Sequence, residues 1–194
     1  MKIFIDLGAY NGDTIKLAMK KYPDFDRYIG FEPAPSLYKK AKRRLKKYSK
    51  VKMRMLAASI TSSKTAKLFL NYRRGAKGIL GSGSTLCGTK TSGNINKKIT
   101  VTVRTIDFAE YLRDNFSIDD FIVLKVDIEG TEYPLFKHLV TTGAISYVDK
   151  IYCEWHYKRI GLSKDKHQEV VDSLKSLGYK ITGYSTRDEF NNDR

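Results

Sequence analysis

Acidic residues stand at the carboxyl ends of several predicted strands along the chain. Asp6 ends the first apolar strand, Glu32 ends the second, and Glu154 ends a later one. Carboxylates can accept hydrogen bonds from hydroxyl groups or bind divalent metal ions through their oxygens. In an open α/β sheet, ligands bind outside the carboxyl ends of the strands. The pattern therefore predicts one ligand site to which several strands contribute, provided that these strands run parallel in one sheet.

A glycine-rich turn at residues 6–13 joins the first strand to a helix that begins near Asp13. Such a turn lets the backbone approach a ligand closely, and the N-terminus of the helix favours an anionic group. The spacing of Gly8 and Gly12 differs from that of a dinucleotide-binding fingerprint. Asp6 suggests that the ligand also carries an ammonium group. S-adenosylmethionine meets both demands, and an ordinary tight turn is the alternative interpretation.

Glu32 lies 20 residues after Gly12 and ends the predicted strand 28–31. In doubly wound folds, an acid at this point accepts hydrogen bonds from the hydroxyls of a ribose. A surface glutamate before the loop at Pro33 is the less favoured reading. Ala57 ends the third predicted strand, 51–57, where small side chains leave room for a planar adenine.

Three more acids surround a glycine turn after the most apolar strand, 121–127. They could bind a divalent metal ion, or hold an acceptor hydroxyl and act as a general base. An acid in the first helical turn also interacts favourably with the helix N-terminus. We expect that last role for Glu132, and contact with the substrate for Asp127 and Glu129.

His156 follows the predicted strand 148–154 and is the best candidate for a general base. Its ordinary pKa of about 6.5 lies closest to neutral pH among the side chains of this set. A structural histidine packed beside Trp155 is the alternative. Lys125 shares one strand face with Asp127, because residues two apart in a strand point the same way.

The composition favours one globular domain with anionic partners. The 194 residues suffice for a single domain with a full core, and the formal net charge is +15. Basic residues are dense between positions 39 and 54, where a predicted helix at 35–48 has Leu37, Ala41 and Leu45 on one face. A solvated basic face of that helix is the simplest interpretation.

Location and cysteine usage are predicted from absences in the sequence. The chain has no apolar segment long enough to span a membrane, and no signal peptide is expected before the first strand. Cys87 and Cys153 lack metal-binding spacing. We expect a cytoplasmic protein in which Cys153 is an inert buried thiol.

Strand and helix patterns alternate, except in the middle of the chain. Segments 67–72 and 99–104 alternate with period two, which predicts an inserted β-hairpin. Between them we expect a mobile loop over about 75–97 that folds over the site. A plain disordered loop is the alternative. Thr105 is the predicted N-cap of the next helix, and residues 187–194 are predicted to fray.

In their order along the chain, these motifs resemble the FkbM family of class I S-adenosylmethionine-dependent methyltransferases. The resemblance is carried by residues 6–13, 31–33, 81–86, 105–107, 124–132 and the pair Glu154 and His156. It implies a Rossmann-like α/β fold, with a mostly parallel sheet flanked by helices and a final antiparallel strand. It also implies O-methylation of a hydroxyl, often on a sugar, polysaccharide or secondary metabolite.

The resemblance also implies roles for individual residues. The cofactor would be bound by Asp6, Gly8, Ala9, Asn11, Gly12, Glu32, Pro33, Ala57 and Asp127. The acceptor would be faced by Asp127, Glu129, Glu154 and His156. A divalent metal ion held by Asp127, Glu129 and Glu154 stays open.

Three functions compete at this stage. The first is methylation of a sugar or glycan, which is expected to be anionic or nucleotide-linked. The second is RNA ribose 2′-O-methylation, suggested by the basic helix and by the set Lys125, Asp127, Lys137 and Glu154. The third is a non-catalytic binding module that keeps the fold, which the complete set of acids disfavours.

Overall fold

The computed structural model describes residues 1–71, 83–92 and 95–183 of the chain. The strands in these residues are β1 Lys2–Leu7, β2 Arg27–Phe31, β3 Val51–Arg54, β4 Ala57–Ser59, β5 Ser63–Asn71, β6 Ile95–Asp107, β7 Phe121–Val126, β8 Lys150–Cys153 and β9 Ile181–Gly183. The α-helices are α1 Asp13–Lys21, α2 Pro35–Leu45, α3 Phe108–Asn115, α4 Glu132–Thr141 and α5 Lys164–Ser176. Short 3₁₀ turns occupy Ala144–Tyr147 and Tyr157–Ile160.

Six strands form the main sheet in the order β3-β2-β1-β7-β8-β9, and each neighbouring pair is parallel. The central strands are buried on both faces, as expected for near-continuous apolar runs. Ile5 and Leu124 belong to the core cluster on the side of α3 and α4. Phe4 and Val123 belong to a second cluster with Ile15 of α1. The sheet therefore brings the carboxyl ends of β1, β2 and β7 to one edge, and the predicted α/β fold is confirmed.

Helix α2 buries one apolar face and exposes its basic residues. Leu37, Ala41 and Leu45 are buried, as their spacing predicts. Lys40 and Arg43 are exposed between them. The helix ends at Leu45 rather than near residue 48. No helix in the described part of the chain is both long and apolar enough to cross a bilayer.

Two further predictions, of the strand 51–57 and of the N-cap Thr105, were wrong in detail. The predicted strand 51–57 is divided: β3 ends at Arg54, and Ala57–Ser59 forms β4 in a second sheet of order β4-β6-β5. Strand periodicity alone does not reveal a change of sheet. Thr105 lies inside β6, and the N-cap of α3 is Asp107, which accepts hydrogen bonds from the backbone of Ala109 and Glu110.

The inserted hairpin is longer than predicted, because β6 begins at Ile95, inside the expected loop. The last described strand, β9, pairs parallel with β8, whereas the resemblance implied a final antiparallel strand. Residues 72–82 and 93–94 of the loop region and the whole predicted tail 187–194 lie outside the described residues. The mobility of the loop stays a prediction.

Candidate active site

A cleft opens at the carboxyl ends of β1, β2 and β7. Its lining combines backbone from the glycine turn, one acid from β2, apolar side chains from the second sheet, and acids that follow β7. The lining residues are Gly8, Tyr10, Phe31, Glu32, Pro33, Leu56, Ala57, Ala58, Leu68, Gly83, Ser84, Leu86, Asp127, Ile128, Glu129 and Thr131.

Gly8 brings the turn after β1 against the chain that leaves β7. Its φ is +85°, in the left-handed region, and a Cβ built there would lie 1.9 Å from the carbonyl oxygen of Asp127. The backbone N–H groups of Gly8 and Ala9 donate to Phe31 O at 3.0 and 2.9 Å. The turn is therefore held between β2 and β7, and no side chain larger than hydrogen fits at position 8.

Glu32 is fixed by backbone donors on both of its oxygens. Tyr10 N donates to Oε2 at 2.8 Å, and Ala34 N donates to Oε1 at 2.9 Å. Burial raises the pKa of Glu32 to about 7, although these two hydrogen bonds favour the ionised form. The carboxylate of Glu32 lies in the cleft with its orientation already set.

Small and apolar side chains form the wall near Glu32. Ala57 and Ala58 are buried at the start of β4, and Leu68 is buried on β5. Leu86 packs against the same cluster as Leu68. A slot between small side chains and leucines suits a flat apolar group such as a nucleobase. Assignment of Ala57 to the second sheet does not remove it from the cleft.

Asp6 is buried and paired with a lysine. Lys125 Nζ lies 3.1 Å from Asp6 Oδ1 and 3.2 Å from Asp127 Oδ2, and Lys125 is 1% exposed. Burial raises the pKa of Asp6 despite the opposing charge of Lys125. Asp6 itself does not line the cleft within the described residues. Lys125 thus connects the end of β1 with the end of β7.

The turn after β7 places Glu129 by an uncommon backbone conformation. Glu129 has a φ of +59°, and the following Gly130 has a φ of +113°. A Cβ at Gly130 would lie 2.4 Å from Ile160 Cγ2. Tyr10, also in the cleft, is the other non-glycine residue described with a positive φ. Non-glycine residues in this region concentrate at functional sites.

Glu132 and His156 form a buried pair behind this turn. Glu132 is fully buried and accepts hydrogen bonds from Gly130 N on both oxygens and from Ile128 N. Glu132 Oε1 lies 2.8 Å from His156 Nδ1. At the first position of α4, Glu132 has the favourable place expected for an acid, but it also fixes the imidazole ring.

Three carboxylates surround the other ring nitrogen of His156. Nε2 lies 3.2 Å from Glu154 Oε1, 3.4 Å from Glu129 Oε2 and 3.9 Å from Asp127 Oδ1. Burial lowers the pKa of His156, but the hydrogen bond to Glu132 and the nearby carboxylates of Glu154 and Glu129 raise it to about 10. Without a bound cation, His156 is therefore an imidazolium at neutral pH and has no free lone pair to act as a base.

Two cationic side chains complete the cluster. Lys90, which is 1% exposed, donates to Glu129 Oε2 at 2.5 Å and to Gly83 O at 2.7 Å. Arg159 Nη1 lies 3.5 Å from Glu129 Oε2 and 3.7 Å from Glu154 Oε1. Lys90 and Arg159 were not predicted from the sequence, because no spacing rule connects their segments with the acids.

Residues 83–92 of the predicted loop lie against this cluster. Thr85 Oγ1 donates to Glu129 O at 2.8 Å, and Thr91 N donates to Arg159 O at 3.1 Å. Thr85 also pairs with Phe69 of β5 through two backbone hydrogen bonds. The segment therefore attaches the hairpin to the turn that holds Glu129.

The predicted site residues divide into three groups. The cleft is lined by Gly8, Glu32, Pro33, Ala57, Asp127 and Glu129. Glu154 and His156 stand behind it and reach it through the carboxylates of Asp127 and Glu129. The remaining four, Asp6, Ala9, Asn11 and Gly12, support the turn: Gly12 has φ +83° at the start of α1, and Asn11 Oδ1 accepts from Asp13 N.

The set of four residues that suggested RNA methylation is not brought together in the structure, because Lys137 lies apart from the other three. Lys125, Asp127 and Glu154 lie at neighbouring strand ends, but Lys137 is an exposed residue of α4. Among the described residues, the lysines that contact the acids beside His156 are Lys125, which pairs with Asp127, and Lys90, which pairs with Glu129.

Cleft, sheet order and motifs together define a Rossmann-like methyltransferase fold. The family model described as "Methyltransferase FkbM domain" matches residues 6–181. The chain belongs to the FkbM methyltransferase family, as its motifs predicted.

A solved relative agrees with the fold. The crystal structure of methyltransferase FkbM from Methylobacillus flagellatus KT superposes with a TM-score of 0.54 at 14% identity, covering 90% of this chain and 38% of that chain. This chain thus spans well under half of that relative, and the likeness concerns the fold alone. No curated protein sequence matches the chain.

Proposed function

We propose that the protein transfers a methyl group from S-adenosylmethionine to a hydroxyl oxygen of a sugar, glycan or related small molecule. The observation that carries the proposal is a single cleft that joins Glu32 at one end with Asp127 and Glu129 at the other. The proposed nucleoside site would then lie beside carboxylates able to bind a hydroxyl, as methyl transfer to an alcohol requires.

The cofactor half of the cleft fits a nucleoside bearing an amino acid. Glu32 presents two oriented oxygens, which suit the two hydroxyls of a ribose. Ala57 and Leu68 border a slot for the adenine, and the backbone at Gly8 leaves room for the methionine part. When bound, S-adenosylmethionine supplies an electrophilic methyl group on a positively charged sulfur.

The task of the chain is to orient the acceptor hydroxyl and to take its proton. Asp127 and Glu129 line the cleft, so we assign both to contact with the acceptor. With the cofactor bound, the acceptor oxygen would be held towards the methyl group, and Asp127 or Glu129 would accept the proton that the hydroxyl loses. Positioning of this kind supplies roughly 7–11 kcal/mol of a barrier, and a base adds about 10²–10⁴-fold.

Glu154 and His156 act on the acceptor through their neighbours in this proposal. The imidazolium of His156 holds Glu129 and Glu154 close together despite their like charges. His156→Ala is expected to spare binding of S-adenosylmethionine and to lower turnover. Unchanged turnover in that variant would remove His156 from the mechanism.

A sugar acceptor is supported by the density of carboxylates, which are strong acceptors for vicinal hydroxyls. An anionic or nucleotide-linked form is supported by the exposed basic face of α2 and by the half-exposed Arg159 at the cluster. RNA ribose methylation is the second candidate and is favoured by the net charge of +15. A cytoplasmic location belongs to the proposal as well.

Calorimetric titration with S-adenosylmethionine is the first test. We expect micromolar binding by the wild-type protein and at least tenfold weaker binding by Glu32→Ala, because a well-oriented charge-assisted hydrogen bond contributes about 1.5–3 kcal/mol. Glu110→Ala, an exposed acid on α3, is the matched control. Absence of binding in the wild-type protein would overturn the proposal.

The acceptor class is tested with a radiolabelled methyl group. Pools of nucleotide sugars, anionic glycans and RNA are offered separately, and label transfer is measured at two salt concentrations. Label in the sugar pools supports the main proposal. Label in RNA with a steep loss at higher salt would replace it by the second candidate, because RNA binding through phosphates is strongly salt-dependent.

A further inference from the structure

Four acids from two segments of the chain surround His156, and they outnumber the cationic side chains beside them. Asp127, Glu129, Glu132 and Glu154 contribute four negative charges when ionised, whereas Lys90 and Arg159 contribute two positive charges. The charges of Asp6 and Lys125 cancel. Around a neutral imidazole the cluster therefore has two net negative charges, which a divalent cation neutralises.

The imidazole of His156 points a buried nitrogen into this cluster. His156 is 1% exposed, and Nε2 has no hydrogen-bond partner among the described residues. A buried polar atom without a hydrogen bond is costly unless a ligand satisfies it. Nε2 and one carboxylate oxygen each from Asp127 and Glu129 lie within 4.8 Å of one another.

The distances around Nε2 suit the coordination shell of a metal ion. Ligands at about 2.0–2.2 Å from a metal have neighbouring ligand atoms roughly 3.0–3.5 Å apart in octahedral or tetrahedral geometry. The separations from Nε2 are 3.2 Å to Glu154, 3.4 Å to Glu129 and 3.9 Å to Asp127. Asp127, Glu129 and His156 therefore already bring three ligand atoms together, and Glu154 Oε1 lies 3.2 Å from Nε2 as the candidate fourth ligand.

The surroundings resemble the second shell of a metal centre. A metal-binding histidine commonly donates its other ring N–H to a carboxylate, which fixes the tautomer and the ring plane. Glu132 Oε1 lies 2.8 Å from Nδ1, and Glu132 is itself held by three backbone hydrogen bonds. Lys90 donates to Glu129 and would orient that carboxylate from outside.

We propose that His156, Glu129, Glu154 and Asp127 bind a divalent first-row transition metal ion such as Mn²⁺ at the end of the cleft. One nitrogen and three carboxylate oxygens favour Mn²⁺, Fe²⁺ or Zn²⁺ over Mg²⁺, which prefers oxygen alone. If the proposed methyl transfer holds, the ion is placed to bind the acceptor hydroxyl and to ease loss of its proton. Binding of the ion itself does not depend on that reaction.

The test is a titration of the chelator-treated full chain with Mn²⁺, in which electron paramagnetic resonance reports the free ion. We expect one tight site per chain, and at least tenfold weaker binding in Glu154→Gln, whose carboxylate is partly exposed and tolerates the change. His156→Gln, checked for folding by circular dichroism, should lose the site. Glu169→Gln, an exposed acid on α5, is the matched control.

The outcomes are distinct. No Mn²⁺ binding in the wild-type protein, or unchanged binding in Glu154→Gln, would overturn the metal site. Ready displacement of Mn²⁺ by excess Mg²⁺ would overturn the nitrogen ligand. Titration with S-adenosylmethionine is run separately on the same samples. Normal Mn²⁺ binding without binding of S-adenosylmethionine would overturn the proposed function and leave the metal site in place.

Discussion

The two halves of the cleft are built by different means. The half proposed for the cofactor (the cofactor half), around Gly8 and Glu32, is set mainly by backbone: a left-handed glycine, and two main-chain donors on one carboxylate. The half proposed for the acceptor (the acceptor half), around Glu129 and His156, is set by side-chain charges that come from separate segments of the chain. Backbone geometry thus positions the residues of the cofactor half, and ion pairs position the residues of the acceptor half.

This difference teaches which half tolerates change. A site formed by backbone should lose ligand binding when an added side chain fills its space, whereas loss of a charge at its edge should change binding little. When one charged side chain is removed from a cluster, the cavity remains, but the other side chains move because the remaining like charges repel. The cofactor half should therefore be sensitive to volume, and the acceptor half to charge.

The largest effect is expected for Gly8→Ala. The new Cβ would lie 1.9 Å from Asp127 O at a φ of +85°, so the turn and the β7 end must separate. Left-handed strain and forced displacement together should cost about 3 kcal/mol or more of the free energy of unfolding. Because Gly8 touches both halves, binding of S-adenosylmethionine should be lost as well. Urea unfolding and calorimetry measure the two effects.

Gly161→Ala is the matched control for that experiment. Gly161 has a φ of +71°, but a Cβ there meets no other described atom within 4 Å. It reports left-handed strain alone, about 1–2 kcal/mol. Equal losses in the two variants would show that the contact between Gly8 and Asp127 is not a constraint.

A smaller effect is expected when charge is removed from the acceptor half by Lys90→Met. Methionine fills the buried space but leaves Glu129 without its ion pair. We expect amide hydrogen exchange in residues 83–92 to rise by about 10–100-fold, which corresponds to about 1.4–2.7 kcal/mol. Turnover should fall, while the affinity for S-adenosylmethionine stays unchanged.

Lys97→Met, an exposed lysine of β6, controls for the loss of one positive charge from the surface. Unaltered exchange in residues 83–92 of Lys90→Met would show that this segment is held by Thr85 and Thr91 instead. Weakened cofactor binding in Lys90→Met would contradict the division of the cleft into two halves.

The same division explains how far the sequence alone could predict the site. Gly8 and Glu32 follow their strands directly, and Asp127 and Glu129 share one turn, so local patterns were enough to find them. Lys90 comes from a segment rich in glycine, serine and threonine, where no periodicity marks it. Its contact with Glu129 arises only from the tertiary fold.

The fold shows a similar limit. Alternation and apolar runs identified β1 and β7, because each strand's own residues decide its burial. The start of the second sheet at Ala57 could not be predicted, since the local sequence does not specify which strand a segment pairs with. The N-cap of α3 is Asp107 rather than Thr105, because both residue types are good caps and the end of β6 decides between them.

A moderate pH effect is expected at Glu32. Its pKa is raised to about 7, so the carboxyl is mostly protonated below that pH and ionised above it. Only the ionised form accepts from both ribose hydroxyls, and affinity for S-adenosylmethionine should rise up to about tenfold from pH 6 to pH 8. Calorimetry at several pH values on wild type and Glu32→Gln isolates the effect of Glu32 ionisation, because any effect from ionisation of the ligand is the same for both proteins.

The stability of the unliganded protein should change in the opposite direction. A raised pKa in the folded state means that Glu32 contributes stability below its ordinary pKa of 4.5, and this contribution is lost as pH rises through about 7. Glu32→Gln should lack that loss. A wild-type affinity as flat with pH as that of Glu32→Gln would contradict the role of Glu32 as a ribose acceptor.

The smallest effect is expected for Arg44→Met on α2. Arg44 bonds Asn11 O at 2.9 Å and Asp13 Oδ1 at 2.6 Å, but both ion-pair side chains are partly exposed, 30% and 23%. A screened pair of this kind contributes less than about 1 kcal/mol, so cofactor affinity should fall by less than about fivefold. Arg43→Met, on the exposed side of α2, is the control. A much larger loss in Arg44→Met would mean that the glycine turn also depends on a side-chain charge, and the contrast between the two halves would then fail where it is strongest.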